Sequence, residues 1–172
     1  MNERERFRIS AASPADVAEL HALVRGLAEY ERLSDLCVST EADLARALFT
    51  PPAACEALIA RLDGESEEAV GFALFFHTYS TFLGRRGLWL EDLFVVPAHR
   101  GRGLGRQLLT ALARIATERG CGRFEWSVLD WNAPAIRFYE SLGARMLPDW
   151  RIARVTGADL DRLAGALGQV PG

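Results

Sequence analysis

The residues most suited to chemistry in this chain form a turn rich in glycine and arginine at positions 100–105, with the sequence R-G-R-G-L-G. The turn follows an apolar run at 87–96 and precedes a segment at 106–119 whose leucines repeat at helical spacing. Glycines permit positive φ angles and a close approach of backbone to ligand, and the free N–H groups of a first helical turn attract anions. The pattern therefore predicts a strand, a turn and a helix that together bind a pyrophosphate.

Arginine adds permanent positive charge to this turn at Arg100, Arg102 and Arg106. The turn lacks the Lys-Ser/Thr ending of a P-loop, and its glycine spacing differs from G-x-G-x-x-G. No second mononucleotide-binding half follows it, which disfavours a dinucleotide cofactor. A basic turn without a ligand is the alternative that these residues leave open.

A second candidate group lies on a short helix predicted at 132–142. Asn132 is placed to cap this helix, and Tyr139 lies seven residues later, two turns along the same helix face. An amide and a phenol on one face can contact the same ligand. Alternatively, Tyr139 is a core aromatic that packs beside Phe138.

Carboxylates form the third group. Glu91 and Asp92 are adjacent in the predicted strand at 87–96, where neighbouring side chains point to opposite faces unless a bulge intervenes. Such carboxylates could accept a proton from an ammonium group, or could simply be solvated or paired with arginine. Tyr30 and Glu31 end the first long helix, where a carboxylate opposes the helix dipole. A bound amine explains that position, and so does a solvated helix end.

The segments that position these groups alternate between strands and helices. A hairpin is predicted around 63–65, and a capping box at Thr40 begins a short helix that must end before Pro51. The other predicted helices span 14–31, 106–119, 132–142 and 159–167, and the predicted strands span 8–11, 55–62, 69–79, 87–96, 123–129 and 150–155. This order predicts an α/β fold in a single domain over residues 1–172, with a mixed, mainly antiparallel central sheet flanked by helices.

Composition limits the class of protein. The chain has 172 residues, a formal net charge of −3 and 49% hydrophobic residues, so one core is expected, and neither nucleic acid nor an anionic membrane is a favoured partner. All 20 basic residues are arginine, which rules out a catalytic lysine. Three widely spaced cysteines and three histidines predict no metal site and no disulfide framework. Together with the charged N-terminal segment, this predicts a cytoplasmic protein.

Several motifs occur together in an order that resembles the GNAT superfamily of acyl-CoA-dependent N-acetyltransferases. The turn matches R-x-x-G-x-G, with Arg100, Gly103 and Gly105 at the signature positions. Within that superfamily the chain is similar to the spermidine/spermine (diamine) and thialysine acetyltransferase branch. The segments that carry this similarity are LAEYERL at 27–33, LEDLFVVPAHRGRGLG at 90–105, WNAPAIRFYESLGA at 131–144 and DWR at 149–151.

The resemblance implies a fold whose splayed central strands admit acetyl-CoA as cosubstrate. It implies that Asn132 contacts the cofactor and that Tyr139 protonates the leaving thiolate. Tyr30, Glu31, Glu91 and Asp92 match positions on the amine side. The residues implied to hold the pantetheine arm and the pyrophosphate are Leu93, Phe94, Val95, Arg100, Gly101, Arg102, Gly103, Leu104, Gly105 and Arg106.

The resemblance also implies an activity and an assembly. We expect an N-acetyltransferase acting on the primary amine of a small cationic molecule, such as a polyamine, a diamine or a lysine-like amino acid. A non-catalytic acyl-CoA-binding or protein-interaction module, or a protein N-acetyltransferase, is the alternative. Diamine-binding members carry tryptophan where this chain has Phe82, and Arg85 and Arg86 lie close by, so the amine stays open. A homodimer is expected, with Trp150 and Arg151 near the partner.

Overall fold

The computed structural model describes residues 6–64 and 67–165, which fall into two compact units, Met1–Ser127 and Val128–Gly172. The first unit contains strands β1 (Phe7–Ala11), β2 (Glu56–Leu62), β3 (Ala69–Ser80), β4 (Arg85–Val95) and β5 (Arg123–Trp126), with helices α1 (Val17–Tyr30), α2 (Glu41–Phe49) and α3 (Leu104–Glu118). The second unit contains helices α4 (Ala133–Glu140) and α5 (Ala158–Gly165). The single domain predicted over 1–172 stays a prediction.

The strands of the first unit form one sheet in the order β1-β2-β3-β4-β5. The pairs β1·β2, β2·β3 and β3·β4 are antiparallel, whereas β4 and β5 are parallel. A parallel pair needs a crossover connection, and α3 supplies it. The mixed, mainly antiparallel sheet with flanking helices is therefore confirmed.

Helices α1 and α2 cover one face of this sheet, which we call the α1 face. Leu20 and Leu23 of α1 are buried in one core cluster with Ile59, Phe72 and Phe94 from the strands. Gly26 lies in the middle of α1, where glycine costs helix stability. A Cβ atom at this position would lie 3.1 Å from the Phe94 ring, so the glycine permits close contact between helix and strand.

Helix α3 covers the opposite face, which we call the α3 face. Its apolar stripe buries Leu104, Leu108, Leu109, Leu112 and Ala116, as the helical spacing of these residues predicts. A Cβ atom on Gly71 of β3 would meet the side chains of Leu104 and Val95, at 3.4 and 3.5 Å. Val95 therefore faces α3, while its neighbour Phe94 faces α1.

The prediction of a strand at 150–155 is wrong, because in the structure these residues pair with no strand among the described residues. Trp150 is 80% exposed and Ile152 is 71% exposed. A strand depends on backbone hydrogen bonds to a neighbouring strand, and residue preference alone does not provide that neighbour. Strand β5 also ends three residues before the predicted boundary at 129. Of the helices in the described part of the chain, none is long and apolar enough to cross a membrane.

Candidate active site

A bulge in β4 settles the orientation of the two adjacent carboxylates. Leu90 pairs with Phe75 of β3, whereas Asp92 pairs with Leu74, so Glu91 is an extra residue without a cross-strand partner. Directly paired residues share a sheet face, and Leu74 belongs to the core cluster on the α1 face. Asp92 therefore lies on the α1 face.

Glu91 lies on the same face as Asp92. Its Oε2 atom accepts a hydrogen bond of 2.9 Å from the Trp89 indole Nε1. Trp89 pairs with Phe76, two residues beyond Leu74 on β3 and hence on the α1 face. The bulge thus brings together two carboxylates that a regular strand would separate.

Asp92 is the carboxylate most affected by its surroundings. Burial raises the pKa of Asp92 to about 6, and the negative charges of Glu91 and Glu31 add to this effect. Glu31 follows the last residue of α1, and burial raises its pKa as well. Glu91 and Glu31 therefore both lie within electrostatic reach of Asp92, and a bound cation would relieve the repulsion that they exert on it.

Beside these acids, the edge of β4 opens. Strand β5 pairs with β4 from Gly87 to Leu90, and within the described residues this pairing stops where the bulge begins. The Val96 N–H donates to Val70 O of β3, so by alternation the backbone groups of Val95 and Leu93 point away from β3. Leu93 and Val95 thus present donors and acceptors at the open edge, whereas the Phe94 carbonyl points toward β3.

The turn after β4 has the geometry of an anion site. Gly101 and Gly103 adopt positive φ angles of 75° and 89°, and a Cβ atom at either position would meet nothing within 4 Å. The helical hydrogen bonds of α3 begin with Gln107 N–H donating to Gly103 O. The N–H groups of Leu104, Gly105 and Arg106 precede this bond and point out of the helix end.

The start of α3 differs from the start of α2 in a way that favours an external anion. Helix α2 has Glu41 and Asp43 in its first turn, and Thr40 and Asp43 form a capping box. The first turn of α3 contains no acidic residue. Exposed Arg102 and Arg106 add positive charge there, so the helix dipole is reinforced rather than neutralised.

Arg100, by contrast, directs its side chain toward α1. Its Nε atom donates a 2.8 Å hydrogen bond to Val95 O, at the open edge of β4. Its guanidinium carbon lies 4.2 Å from the centroid of the Tyr30 ring and 5.4 Å from that of Phe94. Arg100 therefore links the glycine-rich turn, the end of β4 and the end of α1.

In the second unit, the two predicted residues lie on α4 as expected. Asn132 is the N-cap residue, and its Oδ1 atom accepts a 3.3 Å hydrogen bond from Ala135 N–H. Tyr139 is buried, and its ring centroid lies 5.4 Å from that of Phe138. The local prediction of a capped helix with Tyr139 two turns along is confirmed.

The profile of the acetyltransferase (GNAT) family matches residues 22–144, which is most of the chain and includes both candidate segments. This chain belongs to the GNAT acetyltransferase family. It is therefore an acetyl-CoA-dependent N-acetyltransferase, and the resemblance to this superfamily is confirmed.

Comparison with named relatives indicates the branch of the GNAT family to which this chain is similar. The chain is 34% identical to the L-ornithine N5-acetyltransferase of Arabidopsis thaliana, over 91% of this chain and 87% of that protein. It is 36% identical to the thialysine N-epsilon-acetyltransferase of Sus scrofa, over 91% and 96% of the two chains. Among solved structures, an integron cassette protein from the mobile metagenome of V. cholerae aligns with a TM-score of 0.77 and 28% identity, over 92% and 98% of the two chains.

Two places in the first unit have features that suit bound acetyl-CoA. The positive-φ glycines leave open space where a side chain would otherwise block a diphosphate. The backbone groups that Leu93 and Val95 direct to the open edge of β4 match the amides of a pantetheine arm, which can continue a sheet edge by hydrogen bonding. Acetyl-CoA supplies the acetyl group as a thioester.

Trp89 is the residue at this site whose place the sequence does not reveal. A tryptophan within a predicted strand is typical of a core or interface residue. Its contact with Glu91 shows that it belongs with the acidic group. The available signal was its spacing, because a residue two positions before Glu91 shares its face in a regular strand.

Proposed function

We propose that this enzyme acetylates the side-chain amine of a small basic amino acid, or the primary amine of a comparably short diamine or polyamine. The observation that carries this proposal is the β4 bulge, which places Glu91 and Asp92 on one sheet face beside the open strand edge. Glu31, at the end of α1, adds its negative charge to that of Glu91 near Asp92. A cluster of carboxylates attracts a cationic substrate. The relatives named for ornithine and for thialysine, both basic amino acids, support this substrate class.

Asp92 is proposed to accept the proton that the substrate ammonium must lose. A primary amine of this kind is largely protonated near neutral pH, and only its neutral form attacks a carbonyl. A carboxylate whose pKa lies at about 6 is a stronger base than an ordinary aspartate. The exposed carboxylate of Glu91 is proposed to hold the ammonium group beside it, and Tyr30 and Glu31 to border the amine from the end of α1.

The turn and the strand edge are proposed to hold the donor. The amides from Gly101 to Arg106 bind the pyrophosphate, and Leu93 and Val95 pair with the pantetheine arm. On the family resemblance, Asn132 contacts the cofactor and the Tyr139 hydroxyl gives a proton to the departing sulfur. In the overall exchange the amine loses one proton and gains an acetyl C–N bond, while the thioester C–S bond breaks and the sulfur gains one proton.

An amine panel with detection of released thiol tests this function. Ornithine, lysine, thialysine, putrescine and spermidine are compared with norvaline, which keeps the ornithine carbon chain but lacks its side-chain amine. We expect thiol release with at least one basic amino acid or diamine, none with norvaline, and one added acetyl group by mass spectrometry.

The alternative functions give different results in the same assay. Acetyl-CoA binding by calorimetry without turnover on any amine would indicate a non-catalytic module. Acetylation confined to peptides with a free N-terminus would indicate a protein N-acetyltransferase. Either result would contradict the proposed substrate class.

We further propose that the enzyme is a cytoplasmic homodimer. Support comes from the exposed aromatic and aliphatic side chains of Trp150 and Ile152, in a segment without strand pairing. Large apolar side chains exposed together favour burial against another chain. Light scattering at low micromolar concentration should give the mass of a dimer. A monomeric mass with full activity would contradict the dimer and any role of Trp150 and Arg151 at a partner's site.

A further inference from the structure

Two carboxylates, those of Glu125 and Glu91, lie beside Trp89 on the α1 face, and they have different partners. Across the strand pair, Trp89 is opposite Glu125 of β5, which forms an ion pair of 2.7 Å with Arg123 Nε. Along its own strand, Trp89 donates its indole N–H to Glu91 at 2.9 Å. Within the described residues, Glu91 takes part in no ion pair.

This difference matters for a cationic substrate. The arginine cancels the charge of Glu125, whereas the neutral indole orients Glu91 and leaves its negative charge in place. The indole holds Oε2, so Oε1 can accept a hydrogen bond from an ammonium group. Glu91 is exposed and lies on a bulge, so without this bond its side chain could adopt several rotamers.

We propose that Trp89 is a positioning residue for the amine substrate, because its indole N–H fixes the Glu91 carboxylate in the orientation that receives the ammonium group. The proposal rests on the proposed function, in which Glu91 anchors the amine. Trp89 acts through Glu91 and does not itself take part in the transfer. Its effect is therefore on the amine and not on acetyl-CoA.

Trp89→Phe tests this role, since it keeps an aromatic ring and removes the donor. Loss of a hydrogen bond to a charged group should raise the KM of the amine about tenfold, with the KM of acetyl-CoA changed by less than about twofold. Trp126→Phe is the matched control, because Trp126 pairs with Leu90 and lies on the α3 face. We expect this control to leave the amine KM within about twofold of the wild type.

A double-mutant cycle separates positioning from packing. If Trp89 acts through Glu91, Trp89→Phe should change the amine KM by less than about twofold in a Glu91→Gln background. The Trp89 indole N–H signal, identified by its loss in Trp89→Phe, should shift in Glu91→Gln as measured by NMR. This shift reports the contact independently of turnover.

The outcomes distinguish this proposal from the function on which it rests. A wild-type enzyme that acetylates amines, combined with a Trp89→Phe variant of unchanged amine KM, overturns the positioning role alone. Equal effects of Trp89→Phe with and without Glu91→Gln also overturn it, because they indicate packing. A wild-type protein inactive on the whole amine panel overturns both.

Discussion

Replacing Asp92 by asparagine should make the protein more stable and the enzyme less active. Burial, together with the charges of Glu91 and Glu31, raises the pKa of Asp92 from its ordinary 3.8 to about 6. A carboxyl that binds its proton more tightly in the folded state opposes folding once it is ionised. Each pKa unit corresponds to about 1.4 kcal/mol, so the ionised carboxylate costs about 2 to 3 kcal/mol.

The gain in stability should depend on pH. Below about pH 4 the carboxyl is protonated in both the folded and the unfolded chain, so Asp92→Asn gains little there. Between pH 4 and pH 6 the advantage grows, and above pH 6 it is complete, since the wild-type group is charged in both states. For a chain of this length, the melting temperature at pH 7.5 should rise by about 5 to 10 °C.

The enzymatic activity of Asp92→Asn should fall, although its stability should rise. The amide cannot accept a proton, so kcat/KM for the amine should fall at least about a hundredfold. In the wild type, activity should increase as the pH rises through about 6, where Asp92 ionises. Thermal unfolding at pH 4 and 7.5, with thiol-release kinetics on the same samples, measures both effects.

Asp16→Asn is a control, because its expected change in stability has the opposite sign to that of Asp92→Asn. Burial opposes ionisation of Asp16, but hydrogen bonds from Ser13 and from Arg61, the latter at 2.6 Å, outweigh it and lower its pKa. Its charge therefore favours folding, and Asp16→Asn should lower the melting temperature at pH 7.5. The reasoning about Asp92 is refuted if Asp92→Asn is no more stable than the wild type at pH 7.5, or if it retains full activity.

Three further substitutions test the glycine-rich turn, the proposed proton donor Tyr139 and the contact of Arg100 with α1. Gly103→Val should weaken acetyl-CoA binding about tenfold or more by calorimetry, because valine resists a φ of 89° and its side chain would fill open space at the turn; unchanged affinity in a folded variant would contradict this site. Tyr139→Phe should reduce kcat about ten- to ten-thousandfold with little change in acetyl-CoA affinity, and full activity at every pH would identify Tyr139 as a packing residue only. Arg100→Lys should raise the KM of both substrates several-fold, because lysine cannot both stack on Tyr30 and keep the fixed 2.8 Å bond to Val95 O; an effect on acetyl-CoA alone would contradict the link to α1.

Local signals in the sequence were sufficient for most elements of the fold. The capping box at Thr40 and the glycine-rich turn depend on residues close in sequence, and both form where predicted. The apolar stripe of α3 likewise follows from the helical spacing of its apolar residues. Glycine at positions 101 and 103 is required by backbone conformations that other residues rarely adopt, so the candidate anion site could be predicted from the sequence.

Contacts between distant segments decided the rest. Sequence alone could not choose between a regular strand and a bulge at Glu91, because the choice depends on the register of β4 against β3. Nor could it reveal that Arg100 turns toward Tyr30, which is 70 residues away and meets it only through the packing of α1 on the sheet. The segment at 150–155 has residues suited to a strand but forms none, since a strand needs a partner as well as a preference. The chemistry of the turn was thus determined by local backbone requirements, whereas the placing of Glu91 and Asp92 on one face was determined by the pairing of the strands.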